Sequence, residues 1–430
     1  MSTQTGETSV PLEKTPLAGV TTVVDKKGPV LFGVLTVALL LIVALAGESG
    51  ETTFRLATGT DFFEIPEVTV PAAATAWVMV ALCALCTAWS VRLYLARSKT
   101  PLWLVVVFAL LWMVGFLTWA AAGATVPVVG LLAGSLALAV PLVFGALGGV
   151  LGERAGVVNI AIDGQLLAGA FAAALIASVV GSTWAGVGAS MVAGMLVAML
   201  LGLFAINYFV DQVIVGVVLN VLVIGLTSFM FTQVLAPNAA DLNHPPRFEK
   251  IPIPVLGDIP LIGPIFFRQT AIVYVLYATV ALVTWALYRT KWGLRVRAVG
   301  EHPKAADTVG IKVNATRWRT ILLAGAIAGM GGAFYTLVSV PQFNREMTGG
   351  AGYIALAAVI FGKWDPIRAT LAALLFGFAS NLQGVLSVIG SPVPSQFMLM
   401  LPYVVTIFAV AGLVGKSRAP AADGIPYRKG

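Results

Sequence analysis

Few side chains in this apolar chain could hold or transfer something polar, and they cluster. The segment 152–165, GERAGVVNIAIDGQ, sets Asn159, Asp163 and Gln165 between two hydrophobic stretches. Asn159 and Asp163 stand four apart, so they share a face if the segment is helical. A carboxylate within a membrane span costs about 2.5–3.5 kcal/mol on insertion scales, so it lines a polar cavity or pairs with a neighbour. The flanking glycines suit a helix broken near the bilayer midplane, where polar solutes are held. The alternative is a surface turn, with Glu153 and Arg154 at the interface and Asp163 capping the next helix. Asn220 lies mid-way along the apolar stretch 213–235. Its amide needs a partner in the bundle, either another helix or a ligand. Asn381 and Gln383 pose the same question.

Other chemistries lack their residues. Cys83 and Cys86 form one C-x-x-C inside an apolar stretch, with no second pair to complete a metal site, and they read as packing residues. His244 and His302 lie far apart in polar loops. No His cluster and no Ser-His-Asp set points to a metal or a nucleophilic enzyme. The nearest approach to a phosphate-binding loop, VAGLVGKS at 410–417, lacks its first glycine. If ATP drives this protein, the ATPase is a separate chain. No cofactor or metal is expected.

The elements that must position these groups follow from charge spacing. Of 430 residues, 59% are hydrophobic and 10% charged, against roughly 25% charged in a globular protein. Runs of 53, 47 and 47 residues, at 100–152, 164–210 and 369–415, contain no Asp, Glu, Lys or Arg. Each is long enough for two spans of about 20 residues. The fold class is therefore all-α, a polytopic transmembrane helical bundle of about 10–12 spans. The spans are expected at 29–47, 72–91, 102–122, 126–150, 165–181, 184–206, 213–235, 270–288, 320–340, 349–362, 369–389 and 397–415. The span at 349–362 is short and could be re-entrant. Forty-five glycines, several four apart (Gly145 and Gly149, Gly148 and Gly152, Gly325 and Gly329), suit close helix packing.

Loop charges orient the bundle. The net charge of +7 and pI ≈ 9.5 come from basic residues scattered between spans, which fits positive-inside topology better than nucleic-acid binding. Segment 48–71 carries net −4, whereas 92–99, 289–319 and the tail after 415 carry +3, +6 and +3. Twelve crossings with both termini in the cytoplasm satisfy every loop. Within 289–319, Pro303 suits a first helical position, His302 the cap and Gly310 the C′ position. That predicts a two-turn helix over 303–309, with Ala305, Ala306 and Val309 as a small apolar face. It is too short to be stable alone, so it packs on its own bundle or on a protein partner.

Five stretches then carry a resemblance: ERAGVVNIAIDGQ (153–165), GLRVRAVGEHPKAADTVGI (293–311), IPLIGP (259–264), ALAAVIFGKW (355–364) and LPYVVT (401–406). Together they resemble permease subunits of bacterial ATP-binding cassette importers for nucleosides and simple sugars, the superfamily of ribose and branched-chain amino-acid permeases. The similarity spans about 125–415. It implies a cytoplasmic tail at 1–28, a transmembrane extension at 29–124, the permease domain at 125–415 and a tail at 416–430. It also implies that Glu301, His302, Pro303, Lys304, Ala305, Ala306 and Asp307 dock on an ATPase subunit. Asn159, Asp163, Gln165 and Asn220 would then line the substrate path. His302 stands where relatives often have Asn, a better cap, and Asp163 where Glu is common.

The implied partners are an ABC ATPase, a second permease subunit forming a heterodimer, an extracellular substrate-binding lipoprotein and a small-molecule substrate. The implied location is the bacterial plasma membrane. Transport would run by alternating access, with ATP hydrolysed on the other chain. The competing reading is a secondary active transporter of a small polar solute. It calls for ionisable residues deep in several spans, and here Asp163 stands nearly alone.

Overall fold

The computed structural model describes residues 26–391, except 46, 48, 58, 60, 61, 63 and 64, together with 396, 400 and 418–428. The expected span at 397–415 falls almost wholly outside these residues. Ten helices among the described residues are long and apolar enough to cross a membrane. The described residues fall into two compact units, one within 1–46 and 76–115, the other within 47–75 and 116–430.

The first unit is built from α1 (Lys27–Leu45) and most of α2 (Ala72–Leu95) and α3 (Leu102–Ala120). Phe32 stacks on Phe108 with ring centroids 4.1 Å apart. The Thr36 and Thr87 hydroxyls bond at 2.9 Å, and the Trp112 indole donates to the Leu35 carbonyl at 2.9 Å. Cys83 and Cys86 are free thiols in α2, as packing residues should be.

Segment 47–75 belongs to the second unit. There β1 (Glu51–Arg55) pairs antiparallel with β2 (Val68–Pro71) and parallel with β3 (Thr125–Pro127). Contacts therefore divide the chain differently from the expected boundary at 124/125. Hydropathy alone does not register strand pairing across 70 residues of sequence.

The core of this unit is α4 (Val128–Arg154), α5 (Ile162–Val180), α6 (Thr183–Gly202) and α12 (Val313–Phe334), around which the other helices pack. Gly325 and Gly329 of α12 lie against the backbone of Gly194 and Ser190 in α6, and Gly332 lies against Leu166 in α5. A Cβ at these positions would enter a neighbouring backbone. The spaced glycines thus make the close approach that stands in for a hydrophobic drive between helices in lipid. Around this centre, α7 (Gln212–Met230) buries Val215, Leu219, Asn220 and Val223 and exposes Val213, Val217, Val221 and Leu222. The exposed face is as apolar as the buried one, as lipid contact requires. Asp211 caps α7 by accepting from the Val213 and Ile214 N–H groups at 2.9 and 3.0 Å.

Two chain segments enter the bundle without helical structure. After α4 ends at Arg154, residues 155–161 turn back into the bundle, and α5 begins only at Ile162, packed against Gly145 and Gly149 of α4. The second is the short span. The expected short helix at 349–362 is present as α13 (Ala351–Phe361), and the residues before it, 340–350, are non-helical. Eleven residues give about 16 Å of helix, about half of a bilayer core. The residues ahead of it, 340–350, are bends and turns. Phe343 is bonded through its N–H and carbonyl to Asn243, in the stretch between α7 and α9 (Ala271–Arg289). α13 then runs beside α4, with Ala355 at Gly145 and Val359 at Gly149, until Arg154 Nε donates to the Trp364 carbonyl. The segment 340–364 thus runs from one end of the bundle to the other as a broken span. Asp365 then caps α14 (Pro366–Val388) by accepting from the Arg368 N–H at 3.0 Å.

The expected loop 289–319 is mostly helix. α10 (Lys291–Glu301) starts at a Thr290 cap, α11 (Pro303–Thr308) follows, and α12 begins at Val313, seven residues before the expected span. A hydropathy window ends a span where charges begin, whereas the helix continues past the apolar region, with Arg319 exposed and Arg317 buried. Between α7 and α9 lie the single turn α8 (Ala239–Leu242) and a two-stranded pairing of β4 (Lys250–Pro252) with β5 (Arg268–Thr270).

Candidate functional site

Helices that start inside a bundle carry first-turn N–H groups with no water to satisfy them. Two of the four expected path residues meet that need. Asn220 Oδ1 accepts from the Gly164 N–H in the first turn of α5 at 2.8 Å. Its Nδ2 donates to the Ile160 carbonyl at 2.9 Å and to the Tyr353 hydroxyl at 3.0 Å. Asp163 Oδ1 accepts from the Gly352 N–H in the first turn of α13 at 2.9 Å, and its Oδ2 accepts from Thr348 Oγ1 at 3.4 Å. A carboxylate at a helix N-terminus is favoured by the helix dipole, which helps to explain how a 4% exposed Asp163 is tolerated. Each discontinuous helix is thus capped by a side chain of another helix. Gly352 has to be glycine, because a Cβ there would overlap the Asp163 backbone.

Asn159 and Gln165 do something else. Their amides pair with each other through two 3.1 Å bonds, and both are fully buried. Asn159 precedes α5, so it does not share a helical face with Asp163. Asp163 sits within the first turn of α5 and caps α13 instead of its own helix. Glu153 is also buried, not interfacial, and accepts from the Trp364 indole N–H. Together with Arg154 it ties the inner end of α4 to the end of the broken span. Asn381 donates to the Leu131 carbonyl at 2.7 Å, a bond between helices.

Thr348 and Tyr353 were not singled out from the sequence. Tyr353 is 47% exposed beside two buried polar groups, Asp163 and Asn220. The pair Gly349 and Gly350, both with positive φ, 55° and 80°, was the available signal. It marks the break at which the turns of 340–350 become helix.

The segment 301–307 forms a second site. His302 is the N-cap of α11 with Pro303 at its first position, and Gly310 follows in the left-handed region with φ 86°. The His302 side chain makes no capping bond. Of the expected apolar face, Ala306 is buried against Val299, Val313 and Tyr427, while Ala305 and Val309 are exposed, Val309 by 75%. α11 therefore packs on its own chain and still presents an apolar residue outward. Lys304 is exposed, and Asp307 half-buried. Glu301 lies 3.9 Å from Arg154, at the end of α4.

A family model described as branched-chain amino acid transport system / permease component matches residues 131–410. The chain belongs to this family. The permease is 40% identical to the guanosine ABC transporter permease protein NupQ of Bacillus subtilis (strain 168), over 69% of this chain and 95% of that one. It is 38% identical to the nucleoside ABC transporter permease protein NupC of Lactococcus lactis subsp. cremoris (strain MG1363), over 70% and 96% of the two chains. A second protein of that strain, the nucleoside ABC transporter permease protein NupB, is 23% identical over 50% of this chain and 59% of its own. No solved structure matches.

The permease is thus a multi-pass membrane protein and the transport subunit of an ABC importer, without ATPase chemistry of its own. The family implies an ATPase partner and further ABC components.

Proposed function

We propose that this permease imports nucleosides, and that the junction of its two discontinuous helices lies on the substrate path. The observation that carries the substrate class is its likeness, over nearly their full length, to permeases named for guanosine and for nucleosides. The geometry supports the place. Asp163 and Asn220 hold the starts of α5 and α13, and the exposed Tyr353 bonded to Asn220 offers a phenol edge to a base or a ribose hydroxyl. Asn159 and Gln165, satisfied by each other, brace the segment behind it.

A second, non-identical permease subunit completes the path. The similarity of this chain to both NupC and NupB, two permeases of one strain, supports a heterodimer. Segment 301–307 takes up the ATPase, and an extracellular lipoprotein delivers the substrate. The Arg154 end of the bundle faces the cytoplasm of a bacterial cell, since 289–319 is net +6. Residues 29–124 are an added transmembrane extension to the permease domain at 125–415, flanked by the tails 1–28 and 416–430.

Uptake of labelled guanosine into proteoliposomes holding both permeases, the ATPase and the lipoprotein is the test. Uptake should need ATP on the ATPase side and should be competed by nucleosides rather than by ribose or glucose. Uptake that persists with an inactive ATPase would establish the secondary-transporter alternative. Competition by sugars alone would move the substrate class to sugars.

A further inference from the structure

The charged segment 418–428 at the C-terminus is folded onto the bundle. It crosses the surface at which α4, α10, α11 and α12 end. The Ala422 N–H donates to the Gly300 carbonyl at 2.8 Å, and the Ala421 N–H to Glu301 Oε2 at 3.2 Å. Arg317 Nη1, from the second turn of α12, donates to the Ile425 carbonyl at 2.9 Å. Tyr427 completes the small core formed by Val299, Ala306 and Val313, and its hydroxyl is hydrogen-bonded to the Asp307 side chain. Arg428 lies over the Phe209 ring, 4.9 Å from its centroid. One short segment therefore touches α10, α11, α12 and the turn before α7.

It also meets the turn that leads to the candidate path. The Ala422 carbonyl and Arg317 Nη2 both lie where a Cβ of Gly156 would stand, 3.0 and 2.7 Å away, and Gly424 packs on Val158. Gly156, with φ 83°, is a position that only glycine fills without strain. Around it, Arg317 Nε and Nη2, Glu153 Oε1 and Asp423 Oδ1 are buried with no hydrogen-bond partner among protein atoms. Buried charged groups with unused bonding capacity call for an explanation. Opposite charges with spare donors and acceptors can exchange partners when the elements that carry them shift.

We propose that residues 418–428 are a positioning strap, which clamps α11 to the inner end of α12 and to the 155–160 segment. A displacement of α11 is then delivered to the helix starts at Asp163 and Gly352 instead of being absorbed at Gly310. Tyr427 and Arg317 are its positioning residues; neither meets substrate. The proposal rests on the reading of 301–307 as the ATPase contact, and the two can fail separately.

The test uses the assembled importer in lipid nanodiscs and proteoliposomes, comparing wild type with a chain truncated after Pro420 and with Tyr427→Ala and Tyr427→Phe. Amide exchange over 302–311 should quicken by about tenfold or more in the truncation and in Tyr427→Ala, the scale expected when a buried aromatic anchor is lost. The ATPase should still co-purify and hydrolyse ATP, while guanosine taken up per ATP falls several-fold. Tyr427→Phe, which keeps the ring and loses only the hydroxyl bond to Asp307, should restore most of both readouts. Should the truncated chain fail to assemble, Tyr427→Ala decides. Unchanged exchange over 302–311, or unchanged uptake per ATP, overturns the strap. A Glu301→Arg permease that still binds its ATPase overturns the coupling reading and leaves the exchange result to judge the strap.

Discussion

Replacing Asn220 by alanine tests the central geometry most directly. The wild-type amide makes three bonds, at 2.8, 2.9 and 3.0 Å. Tyr353 is 47% exposed, so its hydroxyl finds another partner and loses little. The Gly164 N–H is buried and has no such outlet, and Ile160 is half-buried. Gly164 is in the first turn of a helix that starts inside the bundle, and Ile160 is in the non-helical segment before it. An orphaned buried group costs about 1–3 kcal/mol in soluble proteins. Bonds between membrane helices average about 0.6 kcal/mol, with a maximum near 1.7 kcal/mol. Taking the membrane maximum for each orphan and adding the small void, Asn220→Ala should cost about 2–4 kcal/mol. Asn220→Asp keeps the acceptor for Gly164 but buries a carboxylate with one oxygen against the Ile160 carbonyl, so a loss at least as large as that of alanine is expected. Tyr353→Phe should cost under about 1 kcal/mol. The assay is unfolding of the purified permease by titrated sodium dodecyl sulfate, followed by tryptophan fluorescence. A loss below about 0.5 kcal/mol for Asn220→Ala would refute the reasoning, because the helix start at Ile162 would then be held by something else.

Three further outcomes are expected. Asp163→Asn keeps an acceptor for the Gly352 N–H and should cost about 1 kcal/mol of dipole interaction, whereas Asp163→Ala should cost about 2–4 kcal/mol in the same assay; equal stability of the two would remove the capping role. Gly329→Leu forces a side chain into the Ser190 and Gly194 backbone, and should destabilise the α6–α12 contact by about 3 kcal/mol or more. Gel-filtration recovery of folded permease measures this, and normal recovery would contradict the packing. Burial pushes the Asp423 carboxyl up to about 7, with the Gly424 N–H and the Arg317 guanidinium opposing; Glu153 also faces it. A raised folded-state value means that the docked tail holds a proton the free tail releases, so docking is strongest below the ordinary carboxylate range and weakens as pH rises through about 7. Tryptic cleavage at Arg418, normalised to a free peptide, should be faster at pH 8 than at pH 6. Asp423→Asn should abolish the difference, and a pH-independent wild type would count against it.

Much of this protein was legible from one dimension. Charge-free runs can be spent only in lipid, so the all-α polytopic class follows from spacing alone. Proline at 303 and glycine at 310 bracket a helix because each restricts the backbone locally. Asp163 and Asn220 stand out because polar groups are rare where burial is obligatory. Their partners are not local. Gly352 and Thr348 are more than 180 residues from Asp163, and no periodicity within 152–165 specifies that its carboxylate caps a helix there. Nor does hydropathy tell a fully helical segment from one that is turns over 340–350 and helical over 351–361. Only the neighbours that satisfy the exposed backbone decide which half unwinds. The sequence by itself determined that this chain crosses a membrane many times and where its polar exceptions lie. Tertiary structure alone decided which exceptions satisfy each other, as Asn159 and Gln165 do, and which hold broken helices open. A buried hydrogen bond is a contract between two places in the fold, and its second party is named only when the chain has closed on itself.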